Sequence, residues 1–202
     1  MTKYNKYTQY KMVDIKQRDW PNNSLNKCPI WCSVDLRDGN QALAEPMDSA
    51  RKMKFFKKLI DVGYKEIEVG FPSASDTDFN FIRELINDAH IPDDVTIQVL
   101  TQSREELIIK TIDSLKGSKN AIIHLYNSTS TLQRKVVFKE DMNGVKKIAT
   151  DGAKIISDNI GVLNNTNVRL EYSPESFTGT ELPYALEVCE EILDVWEANE
   201  LK

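Results

Sequence analysis

From residue 29 onward, short apolar runs alternate with longer stretches in which apolar residues recur every three or four positions. Residues 29–36 form a short apolar run that reads as a buried strand. Residues 48–62 carry Ala50, Met53, Phe56 and Ile60 at helical spacing; Asp48 offers an N-cap and Gly63 suits the position just past the helix end. Residues 66–70 predict the next strand. Residues 75–89 predict a helix with Phe79, Ile82, Leu85, Ile86 and Ala89 on one stripe. Residues 95–100 are rich in β-branched side chains and read as a strand. Ser103-Arg104-Glu105-Glu106 resembles a capping box opening a helix to Leu115, with Gly117 stopping it. Residues 121–125 predict a fourth strand and residues 143–157 a helix. Residues 168–172 predict a fifth strand. Residues 180–198 predict a final helix with Leu186, Cys189, Leu193 and Trp196 facing inward.

Strands alternating with helices imply right-handed βαβ units on a parallel sheet. Five units can close a doubly wound sheet, whereas a (β/α)8 TIM barrel needs eight strands. No Gly-rich phosphate loop follows the first strand, which removes the commonest reason for a doubly wound sheet. Counting alone favours the open sheet slightly. Residues 1–27 are polar and weakly periodic, with a turn-rich Trp20-Pro21-Asn22-Asn23-Ser24 cluster. They read as an extension lying over another surface, a disordered tail being the alternative for the first ten or so residues.

Composition narrows the class. The chain of 202 residues is 41% hydrophobic and 28% charged, a globular balance rather than a disordered or membrane one. The net charge of −5 is dispersed and no basic block stands out, so neither nucleic acid nor a membrane surface is expected as partner. Residues 1–17 lack the apolar segment of a signal peptide, and no run approaches the ~20 apolar residues of a membrane span. A cytoplasmic protein is the expectation. Cys28 and Cys32 lie four apart, but no second pair follows at zinc-finger spacing; free thiols in a reducing compartment are the better reading.

In parallel α/β folds the reacting groups stand at the carboxyl ends of the strands. The first run ends in Asp35-Leu36-Arg37-Asp38-Gly39. Strand alternation would place Asp35 and Arg37 on one side, with Asp38 at the exit, where a carboxylate can meet a cation. Arg37 would supply fixed positive charge to an enolate or keto-acid oxygen. A strand-end ion pair with an Asp-Gly turn explains the same residues without chemistry. Glu68 inside an apolar strand is costly unless partnered, and points to a polar interior. The fourth strand ends in His124-Leu125-Tyr126-Asn127-Ser128, and the fifth in a polar run from Glu171 through Ser173 and Glu175 to Glu181. His90 lies in a helix-to-strand connection at the opposite end and reads as structural.

These stretches resemble the α-isopropylmalate synthases. The resemblance rests on residues 31–43 (WCSVDLRDGNQAL), 66–75 (EIEVGFPSAS), 98–102 (QVLTQ), 124–130 (HLYNSTS) and 171–181 (EYSPESFTGTE), and runs from about Arg18 to the end. It implies the first five units of a TIM barrel over residues 29–202, behind an N-terminal extension of residues 1–28. It implies a Claisen condensation of acetyl-CoA with 3-methyl-2-oxobutanoate, giving 2-isopropylmalate and CoA at the entry to leucine biosynthesis. Asp38 would be a ligand of a divalent metal, magnesium or manganese, with zinc a further candidate. Arg37 and Glu175 would be catalytic. Leu100, His124, Tyr126, Ser173 and Glu175 would line the keto-acid pocket. The complete enzyme would be a homodimer. The family's His-x-His metal pair, the later strands and a regulatory domain do not occur in these residues, so the 202-residue chain is expected to be inactive alone. A split-subunit piece needing a partner chain, or a related citramalate or homocitrate synthase, are the alternatives.

Overall fold

The computed structural model describes Val13, Ile15, Lys16, Asn23 and residues 28–200, the side chains of 198–200 excepted. The expected extension over residues 1–27 therefore lies almost wholly outside the described residues. Five parallel strands pair in the order β1-β2-β3-β4-β5: β1 (Cys32–Ser33), β2 (Glu66–Gly70), β3 (Thr96–Gln102), β4 (Asn120–Ser128) and β5 (Asn167–Glu175). A doubly wound sheet reverses its strand order at a switch point. This one never does, so successive right-handed crossovers set all helices on one face and the sheet curls into an arc of a (β/α)n barrel. The order decides against the open sheet that counting slightly favoured.

The helices are α1 (Ser49–Val62), α2 (Asp76–Asn87), α3 (Glu105–Ser114), the single turn α4 (Thr131–Gln133), α5 (Met142–Asn159) and α6 (Leu182–Glu200). The long helices touch their sequential neighbours, α1 with α2, α2 with α3, α3 with α5, and α5 with α6, as a barrel's outer ring requires. Asp48 caps α1 by accepting the Arg51 N–H at 2.8 Å, and Gly63 leaves it at φ 111°, a conformation that favours glycine. Among the described residues no helix is long and apolar enough to cross a membrane.

The strands alternate strictly between two environments. Ile67, Val69, Ile97, Val99, Ala121, Ile123 and Leu125 are buried against the helices. Glu68, Gln98, Leu100, His124, Tyr126, Arg169, Glu171 and Ser173 take the other parity and point into the arc. Curvature shows directly in one ion pair: Arg169 on β5 reaches Glu66 on β2, with β3 and β4 between them, across the concave face.

Four sequence expectations change. First, the apolar run 29–36 pairs only over Cys32–Ser33; Asp35–Gly39 is a wide helical turn, so Arg37 and Asp38 sit on a turn rather than at alternating strand positions. Leu36, buried in the core, anchors that turn. Second, α6 buries Tyr184, Ala185, Val188, Ile192 and Trp196, while Leu186 and Leu193 are exposed. Trp196 faces inward as expected and Cys189 is half-buried, so the correction falls on Leu186 and Leu193. Third, Ser103 caps nothing. α3 begins after Arg104 with no side-chain cap, and the Ser103 hydroxyl donates to the Ile148 carbonyl of α5 at 2.5 Å. Fourth, β5 runs on through Ser173-Pro174-Glu175, which reads in sequence as loop.

Candidate active site

The site is built around one carboxylate. Glu68 is completely buried on the inner face of β2. Such a group is stable only with partners, and three donors converge on it. Arg37 bonds through Nε to Oε1; Gln98 Nε2 donates to Oε2 at 2.7 Å; His124 Nδ1 meets the same oxygen at 2.6 Å. Burial pushes the Glu68 carboxyl up, but the hydrogen bonds from His124 and Gln98 and the charges of His124 and Arg37 outweigh it. The net effect holds the carboxyl below its ordinary range.

This hub fixes its neighbours. A carboxylate at Nδ1 requires the proton there, which fixes the orientation of the ring. Nε2 lies 2.7 Å from the Ser173 hydroxyl and 3.4 Å from Glu171. Gln98 Nε2 also lies 3.3 Å from Nδ1, but two donors facing each other make no bond. Arg37, its Nε held by Glu68, turns Nη1 to Asp38 at 2.9 Å. Glu175, one turn of the pleat beyond Ser173, accepts from Ser128 Oγ at 2.5 Å. Burial raises the Tyr126 phenol, nearby Glu175 adds to the shift, and Arg37 opposes it.

Arg37, Leu100, His124, Tyr126, Ser173 and Glu175 line one cleft of about 250 Å³ together with Gln41 and Phe71. The structure thus brings together every keto-acid position implied by the resemblance. Asp38 is not in this lining; its side chain is 58% exposed beside Arg37. Among the described residues no three His, Cys, Asp or Glu side chains group closely enough to hold a metal ion. A single exposed carboxylate does not by itself fit a divalent cation, which takes several oxygen ligands. Cys28, Cys32 and Cys189 form no disulfide. The Cys32 thiol, pushed up to about 12 by burial and then by Glu68, is poorly suited to ligation.

Sequence reasoning left two lining residues without a role. Phe71 follows directly on the end of β2, and its ring meets Tyr126 edge-on at 6.1 Å. Gln41 lies within the DLRDGNQ stretch and faces the same cleft. Gln98, buried in an otherwise apolar strand, carries the same sequence signal as Glu68.

A family model described as HMGL-like matches residues 28–201. The 2-isopropylmalate synthase of Clostridium acetobutylicum is 57% identical over 198 residues, covering 97% of this chain and 36% of that protein. That of Parafrankia sp. is 62% identical over 192 residues, covering 95% of this chain and 34% of its own length. The chain therefore spans about a third of the length of these curated relatives. Match and architecture agree, and the chain belongs to the HMGL-like family.

Proposed function

We propose that the cleft binds a short branched 2-oxo acid, 3-methyl-2-oxobutanoate. On this reading these residues form part of a 2-isopropylmalate synthase, an acyltransferase in which the methyl carbon of acetyl-CoA gives up a proton and joins the keto carbon, and water then hydrolyses the thioester to release CoA. The observation that carries the reading is the lining of the 250 Å³ cleft: Leu100, Phe71 and Tyr126 offer apolar wall, and Arg37, His124, Ser173 and Glu175 offer polar anchors. The names of the relatives point the same way.

Attack on a keto carbon turns its oxygen into an alkoxide. Arg37, aimed by Glu68, supplies a fixed positive charge for that oxygen. Glu68 fixes the His124 ring through Nδ1, so that Nε2 meets the Ser173 hydroxyl at the cleft wall. Glu175, steadied by Ser128, contacts the branched end or orders its surroundings. A divalent metal would act as a Lewis acid on the oxo acid. Asp38 would contribute one ligand and the remainder would come from other residues. A cytoplasmic homodimer, with residues 1–28 preceding the barrel as an extension, completes the reading; unpaired thiols accord with a reducing compartment.

The test is release of free thiol from acetyl-CoA by the native protein that carries this sequence, with 3-methyl-2-oxobutanoate, pyruvate and 2-oxoglutarate compared. A preference for the branched acid is expected, with Arg37→Ala lowering turnover about 100-fold or more, well beyond the loss of folded protein that follows from leaving buried Glu68 without its arginine. A preference for pyruvate or 2-oxoglutarate would instead identify a citramalate or homocitrate synthase. Equal loss of activity and stability in Arg37→Ala would reduce Arg37 to a structural ion pair.

A further inference from the structure

A second buried charge lies behind the cleft wall. Lys52, in the first turn of α1, is completely buried, which is rare for lysine. Its ammonium is paired with Asp78 of α2, lies 3.4 Å from the Val69 carbonyl and sits 5.4 Å from the centre of the Phe81 ring. Asp78 accepts, in turn, the Phe71 N–H at 2.8 Å. The three elements meet where β2 departs from regular pairing: the register with β3 shifts between Glu68 and Gly70. There the chain passes so close to Asp78 that a Cβ on Gly70 would lie 2.8 Å from its carboxyl carbon.

Stability alone is a poor reason for this pair, since apolar replacement of a buried ion pair is often neutral or better. What the pair supplies is geometry. One oxygen of Asp78 is held by Lys52 and the other by the Phe71 amide, so α1 and α2 jointly fix the residue at which the chain leaves the sheet. Phe71 is the wall shared by the 250 Å³ cleft and an adjoining cleft of about 520 Å³, which also share Arg37 and Gln41.

We propose that Lys52 and Asp78 are positioning residues, which hold Phe71 against Tyr126 and so set the width of the substrate cleft. The effect on substrate rests on the functional reading above; the fixing of Phe71 does not.

Two readouts test it in the native protein carrying this sequence. Asp78→Ala should speed hydrogen exchange of the Phe71 amide at least about tenfold while the central amides of β3 and β4 keep their protection. It should raise KM for the 2-oxo acid about tenfold with a smaller fall in kcat, the pattern of lost binding geometry. Lys52→Met/Asp78→Asn removes both charges but keeps a carbonyl acceptor, and should bring exchange and KM back to within about threefold of wild type. Should Asp78→Ala not fold, Gly70→Ala displaces the same carboxylate with every charge retained and should give the same two changes. Unaltered Phe71 exchange, or loss of thermal stability with KM unmoved, overturns the proposal. A wild-type protein that releases no thiol with any 2-oxo acid would refute the functional reading, while the exchange comparison would still decide whether the pair fixes Phe71.

Discussion

Glu68→Gln probes the organisation of the site with almost no change of shape. Wild-type Glu68 receives Arg37 on one oxygen and both Gln98 and His124 on the other. A glutamine amide has one oxygen and one NH₂, so either orientation sets N–H against at least one donor. Each hydrogen bond to a charged group contributes about 1.5–3 kcal/mol, and breaking a fully buried ion pair costs about 3–5 kcal/mol. The Arg37 side chain is 15% exposed, and water would partly replace the lost acceptor there. A net loss of about 2–4 kcal/mol follows, or roughly 4–16 °C in Tm for a chain of this size. Urea unfolding followed by circular dichroism measures it. The pH dependence supplies an independent check. The Glu68 carboxyl is held below its ordinary 4.5, so its contribution is complete above the unfolded-state value and is lost as pH falls through the folded-state value. The gap between wild type and variant should therefore be constant from pH 7 to about 5 and shrink below that. Equal stability at pH 7, or a gap that persists unchanged to pH 3, would refute the account of Glu68 as the charged hub.

Two further predictions concern packing. Gly152→Ala would drive a Cβ to within 2.0 Å of the Ser103 hydroxyl, so it should destabilise by about 1–3 kcal/mol despite alanine's better helix propensity. Adding Ser103→Ala should recover part of that loss, and strict additivity in a double-mutant cycle would show that the two residues do not collide. On α6, Ile192→Ala should cost about 2–5 kcal/mol and the adjacent Leu193→Ala less than about 0.5 kcal/mol. The reverse ranking, read from thermal unfolding, would mean that the buried face of that helix is misassigned.

The βα rhythm and the strand-end chemistry were legible because both are local. Period-2 and period-3.6 patterns mark the elements, and polar residues at strand ends need no partner to be noticed. Glu68 could be suspected for its cost alone. Its partners could not be assigned, since Arg37, Gln98 and His124 come from three other segments and only the curl of the sheet brings them together. Lys52 was illegible for the same reason: a lysine in an amphipathic helix reads as solvent-facing, and its carboxylate partner is 26 residues away on another helix. The Asp35–Gly39 turn reads as strand because it continues directly from an apolar run that carries no period of its own. The α6 face was missed because that helix is apolar on more than one side, leaving Leu186 and Leu193 as plausible as Val188 and Ile192.

The convergence of three donors on one acceptor also constrains how such a site diverges over generations. Ile67, Val69, Ile97 and Ile123 each touch many neighbours weakly, so one aliphatic can replace another singly and at modest loss. Positions 37, 68, 98 and 124 have no such freedom. A change at any one strands a buried charge or donor on the others, so drift there must be concerted. On the proposed reading of the cleft, new substrate preference is therefore expected to arise first at Leu100, Phe71 or Glu175, around an inner layer that changes as a block or not at all.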